Sequence, residues 1–99
     1  MHKEKRYTIW ITDEAARSFL GIDPQPSDAK FNTRWYIDGV YQGSEDPAGF
    51  WTRIARVVEW SATGAARTWE VSPADCLILW RSVITIQPGD EPPRLQLLN

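Results

Sequence analysis

The sequence is poor in the residues that usually carry catalysis or bind metal ions. It has 99 residues with one histidine, His2, and one cysteine, Cys76. A histidine-based catalytic triad needs a histidine held in an ordered element, and a zinc centre needs several thiolates or imidazoles. The glycine motifs that cradle phosphates or dinucleotides are also missing. We therefore expect neither an enzyme nor a bound metal or other cofactor.

Basic charge and long apolar runs are scarce as well. Eleven Lys and Arg residues stand against thirteen Asp and Glu residues, for a net charge of −2. Because affinity for nucleic acid comes mainly from neutralised phosphates, this balance makes nucleic acid a less favoured partner. No segment approaches a membrane span, and no apolar stretch of a secretory signal follows the N-terminal charges. The lone cysteine fits a reducing compartment, so we expect a soluble protein of the cytoplasm.

Strand and helix signals alternate along the first half of the chain. Residues 7–12 alternate β-branched and aromatic residues, which predicts a strand. Residues 13–20 predict a helix, because Thr12 can cap its start and Gly21 fits the left-handed residue after its last turn. Residues 22–30 contain two prolines and predict a loop. The pair Asp38-Gly39 predicts a hairpin turn between strands 34–37 and 40–43.

Residues 50–60 decide the fold class, and they fit two templates. As a helix, their apolar side chains fill one continuous arc and only Trp60 is out of place. As a strand, they place Arg56 among apolar residues on one face. We interpret them as a helix, whereas the adjacent Val57 and Val58 favour the alternative of a strand that turns at residues 63–64.

The rest of the chain predicts two further strands and a buried run. Residues 67–71 form a strand, and Ser72 and Pro73 then fit the cap and first position of a helical turn. Residues 74–80 are nearly all apolar, and we expect them to be fully buried. Residues 82–87 give the clearest strand of this half, which could pair with another chain if it lies at a sheet edge.

The order of these elements predicts an α+β fold, a small single-domain sheet over residues 1–99 with two helices on one face. The alternative is a mostly β chain, a small barrel of the SH3-like or Sm-like shape. In that alternative residues 50–60 form a strand, and residues 72–77 form the short helical link before the last strand.

Tryptophan is abundant, with six Trp, three Tyr and three Phe residues in the chain. This is more large aromatic surface than one small core needs, and exposed tryptophans anchor protein interfaces or stack on bases. We expect Trp51 and Trp80 to lie in the core. The predicted binding residues are Trp10, Trp35, Tyr36, Tyr41 and Trp69 for a contact surface, with Arg53, Arg56 and Arg67 as the arginines that would meet phosphates.

These features support one leading hypothesis and two alternatives. The leading hypothesis is a non-catalytic binding module with a Trp-rich surface, either homodimeric or bound to a protein partner. Its tail, residues 88–99, would dock Leu95, Leu97 and Leu98 on its own or a neighbouring subunit. The first alternative is a nucleic-acid-binding small barrel. The second is an enzyme, or a regulator of one, with a carboxylate in a Trp-lined pocket that would take a small ligand.

Overall fold

One antiparallel sheet of five strands carries the fold in the computed structural model, which describes residues 1–22, 33–61 and 66–93. Helix α1 (Asp13–Leu20) follows the first strand, and a 3₁₀ turn (Trp80–Ser82) precedes the last. The order across the sheet is β4-β3-β2-β1-β5, so the last strand returns to lie beside the first. The strands are β1 (Arg6–Ile11), β2 (Thr33–Asp46), β3 (Gly49–Ser61), β4 (Ala66–Leu79) and β5 (Val83–Pro88).

The predicted α+β fold with two helices is wrong. The part of the chain that the structure describes holds one α-helix, and residues 50–60, predicted as the second, belong to β3. The mostly β alternative fits instead, because four strands follow one another across the sheet and a short helical turn leads to the last. That turn lies at residues 80–82 rather than 72–77, since β4 continues through Pro73.

A β-bulge in β3 explains why its strand period is hidden in the sequence. Two adjacent residues of β2 pair with Ile54 and Arg56, which leaves Ala55 as an extra residue. One extra residue shifts the alternation of a strand, so the side chains that follow it point to the face opposite to the one that regular alternation would give them. Ile54 and Val57 therefore both pack in the main core, and Val58 packs on the opposite face. The apolar residues are consequently spaced as on a helix.

The pair Asp38-Gly39 does not form the predicted turn, because β2 runs through both residues. Gly39 allows a close approach between strands, since a Cβ at this position would lie 2.7 Å from Oγ1 of Thr52. The carboxylate of Asp38 accepts hydrogen bonds from Arg6 and Arg56, at 3.0 and 2.9 Å. The turn between β2 and β3 lies at residues 47–48 instead.

Residues 74–80 are less buried than predicted. Only Ile78 is fully buried, whereas Ala74 and Asp75 are exposed and Trp80 is 41% exposed. β4 lies at the edge of the sheet, where neighbours cover fewer of its side chains. The apolar composition of this run therefore does not translate into complete burial.

The helix predicted at residues 13–20 is confirmed with its two ends. The hydroxyl of Thr12 accepts a hydrogen bond from the backbone N–H of Ala15 at 3.2 Å. Gly21 adopts a φ of 66°, the left-handed conformation that commonly ends a helix. The strands predicted at residues 7–12 and 82–87 are also confirmed, as β1 and β5.

Helix α1 is held on the sheet by a polar cluster beneath its first turn. The carboxylate of Asp13 accepts hydrogen bonds from Nε1 of Trp35 at 2.8 Å and from Nε of Arg17 at 3.0 Å. Arg17 also lies over the Trp35 ring, 5.4 Å from its centroid. These contacts fix how α1 lies against β2.

Several sequence predictions fall on residues that the structure does not describe. They include most of the loop at residues 22–30, the turn at residues 63–64, and the three leucines of the tail at residues 94–99. Within the described ranges, no helix is long and apolar enough to cross a membrane.

Candidate functional site

Four of the five aromatic residues predicted for the contact surface are buried. Trp35 and Tyr41 belong to the main core cluster, and Trp10 and Tyr36 belong to a smaller cluster on the opposite face of the sheet. The rings of Trp10 and Tyr36 meet edge to face at 4.9 Å, and Nε1 of Trp10 donates to Gln87 at 2.9 Å. The structure thus corrects their expected surface position, because both faces of the sheet pack aromatic rings.

The other predicted binding residues lie on β3 and β4 and already have partners. Trp69 is half-buried, and the Arg67 guanidinium lies 4.0 Å from its ring centroid. Arg53 and Arg56 each pair with a carboxylate, at N–O distances of 3.0 and 2.9 Å. The hydrogen bond from Arg53 to Asp75 raises the pKa of that guanidinium further above its usual value. Arginines paired in this way attract phosphate less strongly.

The remaining tryptophans are all partly exposed. Trp51 is half-buried and donates a hydrogen bond to Asp46 at 3.1 Å, and Trp60 packs against the smaller cluster. The Trp80 ring packs at a tilt against the buried Phe50 ring, with 4.7 Å between their centroids. Trp51 and Trp80 are therefore not the fully covered core residues that the sequence predicts.

Three exposed apolar side chains belong to α1, the 3₁₀ turn and β5, which adjoin one another. The backbone N–H of Thr12 donates to the carbonyl of Ser82 at 3.0 Å, which holds the start of α1 beside the end of the turn. Four large apolar side chains of the described residues are exposed, and three belong to these elements. Phe19, Trp80 and Ile84 are 38%, 41% and 57% exposed. We call these three residues and their elements the α1–β5 junction.

A bulge in β5 accounts for the exposure of Ile84. Two adjacent residues of β1 pair with Val83 and Thr85, so Ile84 is an extra residue without a partner in β1. A bulge commonly re-aims a side chain in this way. Regular alternation in the sequence would place Ile84 beside Ile86 on the buried face, which is why sequence reasoning missed it.

The two edge strands of the sheet differ in composition. β4 contains Pro73 and the charged residues Arg67, Glu70 and Asp75, which discourage another chain from pairing with it. β5 has no charged residue between positions 83 and 88. The α1–β5 junction therefore lies at the less protected edge.

A groove of about 570 Å³ lies beside this junction, between α1, the last residues of β4 and the 3₁₀ turn. Ala15 and Phe19 form its wall on α1, and Leu77 and Leu79 form its wall on β4. The other residues that line the groove are polar or charged, and they are Thr12, Glu14, Ser18, Arg81 and Ser82.

The chemistry available to the described residues is limited. Burial and the neighbouring Asp75 raise the pKa of the Cys76 thiol, which disfavours the nucleophilic thiolate. Asp13 lies beside Trp35, but its carboxylate is held by Arg17 and the indole N–H. Within the described ranges, no three His, Cys, Asp or Glu residues are placed to hold a metal ion.

Comparison of this chain with protein-family models, with curated proteins and with solved structures finds no match in any of the three.

Proposed function

We propose that this protein is a small non-catalytic association module that forms a homodimer through the α1–β5 junction. The observation that carries the proposal is the exposure of Phe19, Trp80 and Ile84 on three adjoining elements. Exposed apolar side chains that lie together on a folded domain are typical of interaction sites. Their burial in a dimer would remove this apolar surface from water.

Two further features support the proposal. The edge strand β5 lacks the charged residues and the internal proline of β4. These are the features that disfavour pairing with a strand of a second chain, so β5 is the edge more open to such pairing. The raised pKa of Cys76 makes this thiol a poor nucleophile, in keeping with a role without catalysis. A lone cysteine also fits a reducing compartment, and we place the protein in the cytoplasm as part of the proposal.

Light scattering across a hundredfold range of protein concentration tests the proposal. We expect the molar mass to rise from that of one chain to that of two, and the dimer to persist at high salt, because apolar contacts are not screened by ions. A molar mass that stays at one chain over the whole range would refute the homodimer.

Two lysine variants of neighbouring residues locate the contact. Ile84→Lys places a charge on the exposed bulge of β5, and we expect the dimer to dissociate at least about tenfold more readily. Thr85→Lys is the matched control, because Thr85 is also exposed but lies outside the bulge, in regular pairing with Trp10. If both variants dimerise as well as the unchanged protein, the contact does not lie at this junction.

A further inference from the structure

The groove beside α1 carries one charge of each sign, on two different elements. Glu14 stands on the α1 side, and Arg81 stands in the 3₁₀ turn on the β4 side. Neither takes part in an ion pair within the described residues, whereas Arg6, Arg53 and Arg56 each contact a carboxylate. The groove therefore presents two charges that have no counter-ion among the described residues of their own subunit.

We infer that a second copy of this chain docks in this groove about a twofold axis, so that Glu14 of each subunit faces the partner's Arg81. In a twofold dimer the same patch meets itself, and when the axis runs along the groove each side faces the opposite side of the partner. A patch with one charge of each sign on its two walls is then complementary to itself. Both charges gain a counter-ion in the dimer, and the contact is made twice.

The apolar walls support the same arrangement. Phe19 is 38% exposed on the α1 wall, opposite Leu77 and Leu79 of β4. When the α1 wall of one subunit meets the β4 wall of the other, each Phe19 packs on the partner's two leucines. Apolar contacts at the centre with ion pairs at the rim are the usual anatomy of a protein interface. This inference rests on the proposed homodimer and specifies the surface and the pairs that would form it.

Charge reversal tests the inference through light scattering of separate and mixed variants. Glu14→Arg leaves two positive groove charges in each subunit, and Arg81→Glu leaves two negative ones. Because like charges then meet twice in each homodimer, we expect each single variant to dimerise at least about tenfold more weakly. An equimolar mixture of the two variants restores opposite charges at both contacts, and we expect a dimer of near-normal affinity. The double variant E14R/R81E should also recover the homodimer.

Lys5→Glu is the matched control, because Lys5 is an exposed cation that precedes β1, at the end of that strand away from α1. We expect this charge reversal to leave dimerisation unchanged. Recovery in the mixture also shows that both single variants are folded, since unfolded chains would not restore the dimer.

The outcomes separate this inference from the proposed function. If the unchanged protein dimerises but the charge reversals have no effect, or if mixing fails to restore the dimer, the groove is not the interface and the homodimer stands. If the unchanged protein stays monomeric, the proposed function and this inference both fail.

Discussion

Replacement of Asp13 by alanine should remove a large part of the stability of this protein. The side chains of Asp13 and Arg17 are 10% and 7% exposed, and they form an ion pair at 3.0 Å. The same carboxylate accepts the indole N–H of Trp35 at 2.8 Å. Without it, the buried guanidinium loses this ion pair and the buried indole loses this acceptor.

The expected loss follows from burial of both charges. Removal of one partner from a buried ion pair costs about 3–5 kcal/mol, because the remaining charge stays out of water. The lost favourable position of Asp13 in the first turn of α1 adds about 0.5 kcal/mol. A domain of 99 residues has about 5–15 kcal/mol of total stability. We therefore expect Asp13→Ala to lower the unfolding temperature by more than about 10 °C.

Asp38 provides a matched comparison, because it also accepts hydrogen bonds from two side chains. Its partners Arg6 and Arg56 are 59% and 41% exposed, so water can solvate them when the carboxylate is removed. We expect Asp38→Ala to cost about 1 kcal/mol. Urea unfolding followed by tryptophan fluorescence measures both variants under the same conditions.

A second change tests the mechanism of this loss. In Asp13→Ala/Arg17→Met both partners of this ion pair are removed, and we expect part of the lost stability to return. The reasoning is refuted if Asp13→Ala costs no more than Asp38→Ala, or if the double variant is as unstable as the single one.

Three further predictions concern other buried positions. Thr52→Val should raise the free energy of unfolding by about 1 kcal/mol, because Oγ1 of Thr52 is buried without a hydrogen-bond partner among the described residues; a lower urea midpoint would contradict this. Gly49→Ala should lower it by more than about 2 kcal/mol, because a Cβ there would overlap the carbonyl oxygen of Ile78; an unchanged midpoint would show that the strands can separate. Burial raises the pKa of Tyr36, so the folded protein holds the phenol proton more tightly than the unfolded chain. The stability that the more tightly held phenol proton contributes is complete below about pH 10 and is lost as the pH rises through the raised pKa of Tyr36. Urea midpoints of Tyr36→Phe should therefore fall less steeply with alkaline pH, and equal slopes would count against the burial effect.

The elements that the sequence predicts correctly are those with local signals. The Thr12 cap, the acidic first turn and Gly21 mark α1 without help from the rest of the chain. β1 and β5 alternate clearly enough to be recognised as strands. In β3 the extra residue Ala55 exchanges the two faces, so the local pattern favours a helix although the pairing makes a strand.

The candidate site was harder to predict, because exposure depends on which strands become neighbours. Trp10 and Tyr36 pack together because β1 lies beside β2. Ile84 is exposed because the pairing with β1 skips it. Phe19 lies on the apolar side of α1 in the sequence, but it faces a groove that the sheet leaves open.

By itself, the sequence determined the helix with its caps, the first and last strands, and the scarcity of catalytic and metal-binding residues. These depend on neighbouring residues or on composition. The tertiary structure decided the strand order, the two bulges, the faces on which the tryptophans lie, and the exposed junction of α1 with β5. These depend on hydrogen bonds and packing between residues far apart in the chain, such as the bond from Thr12 to Ser82, which no local pattern contains.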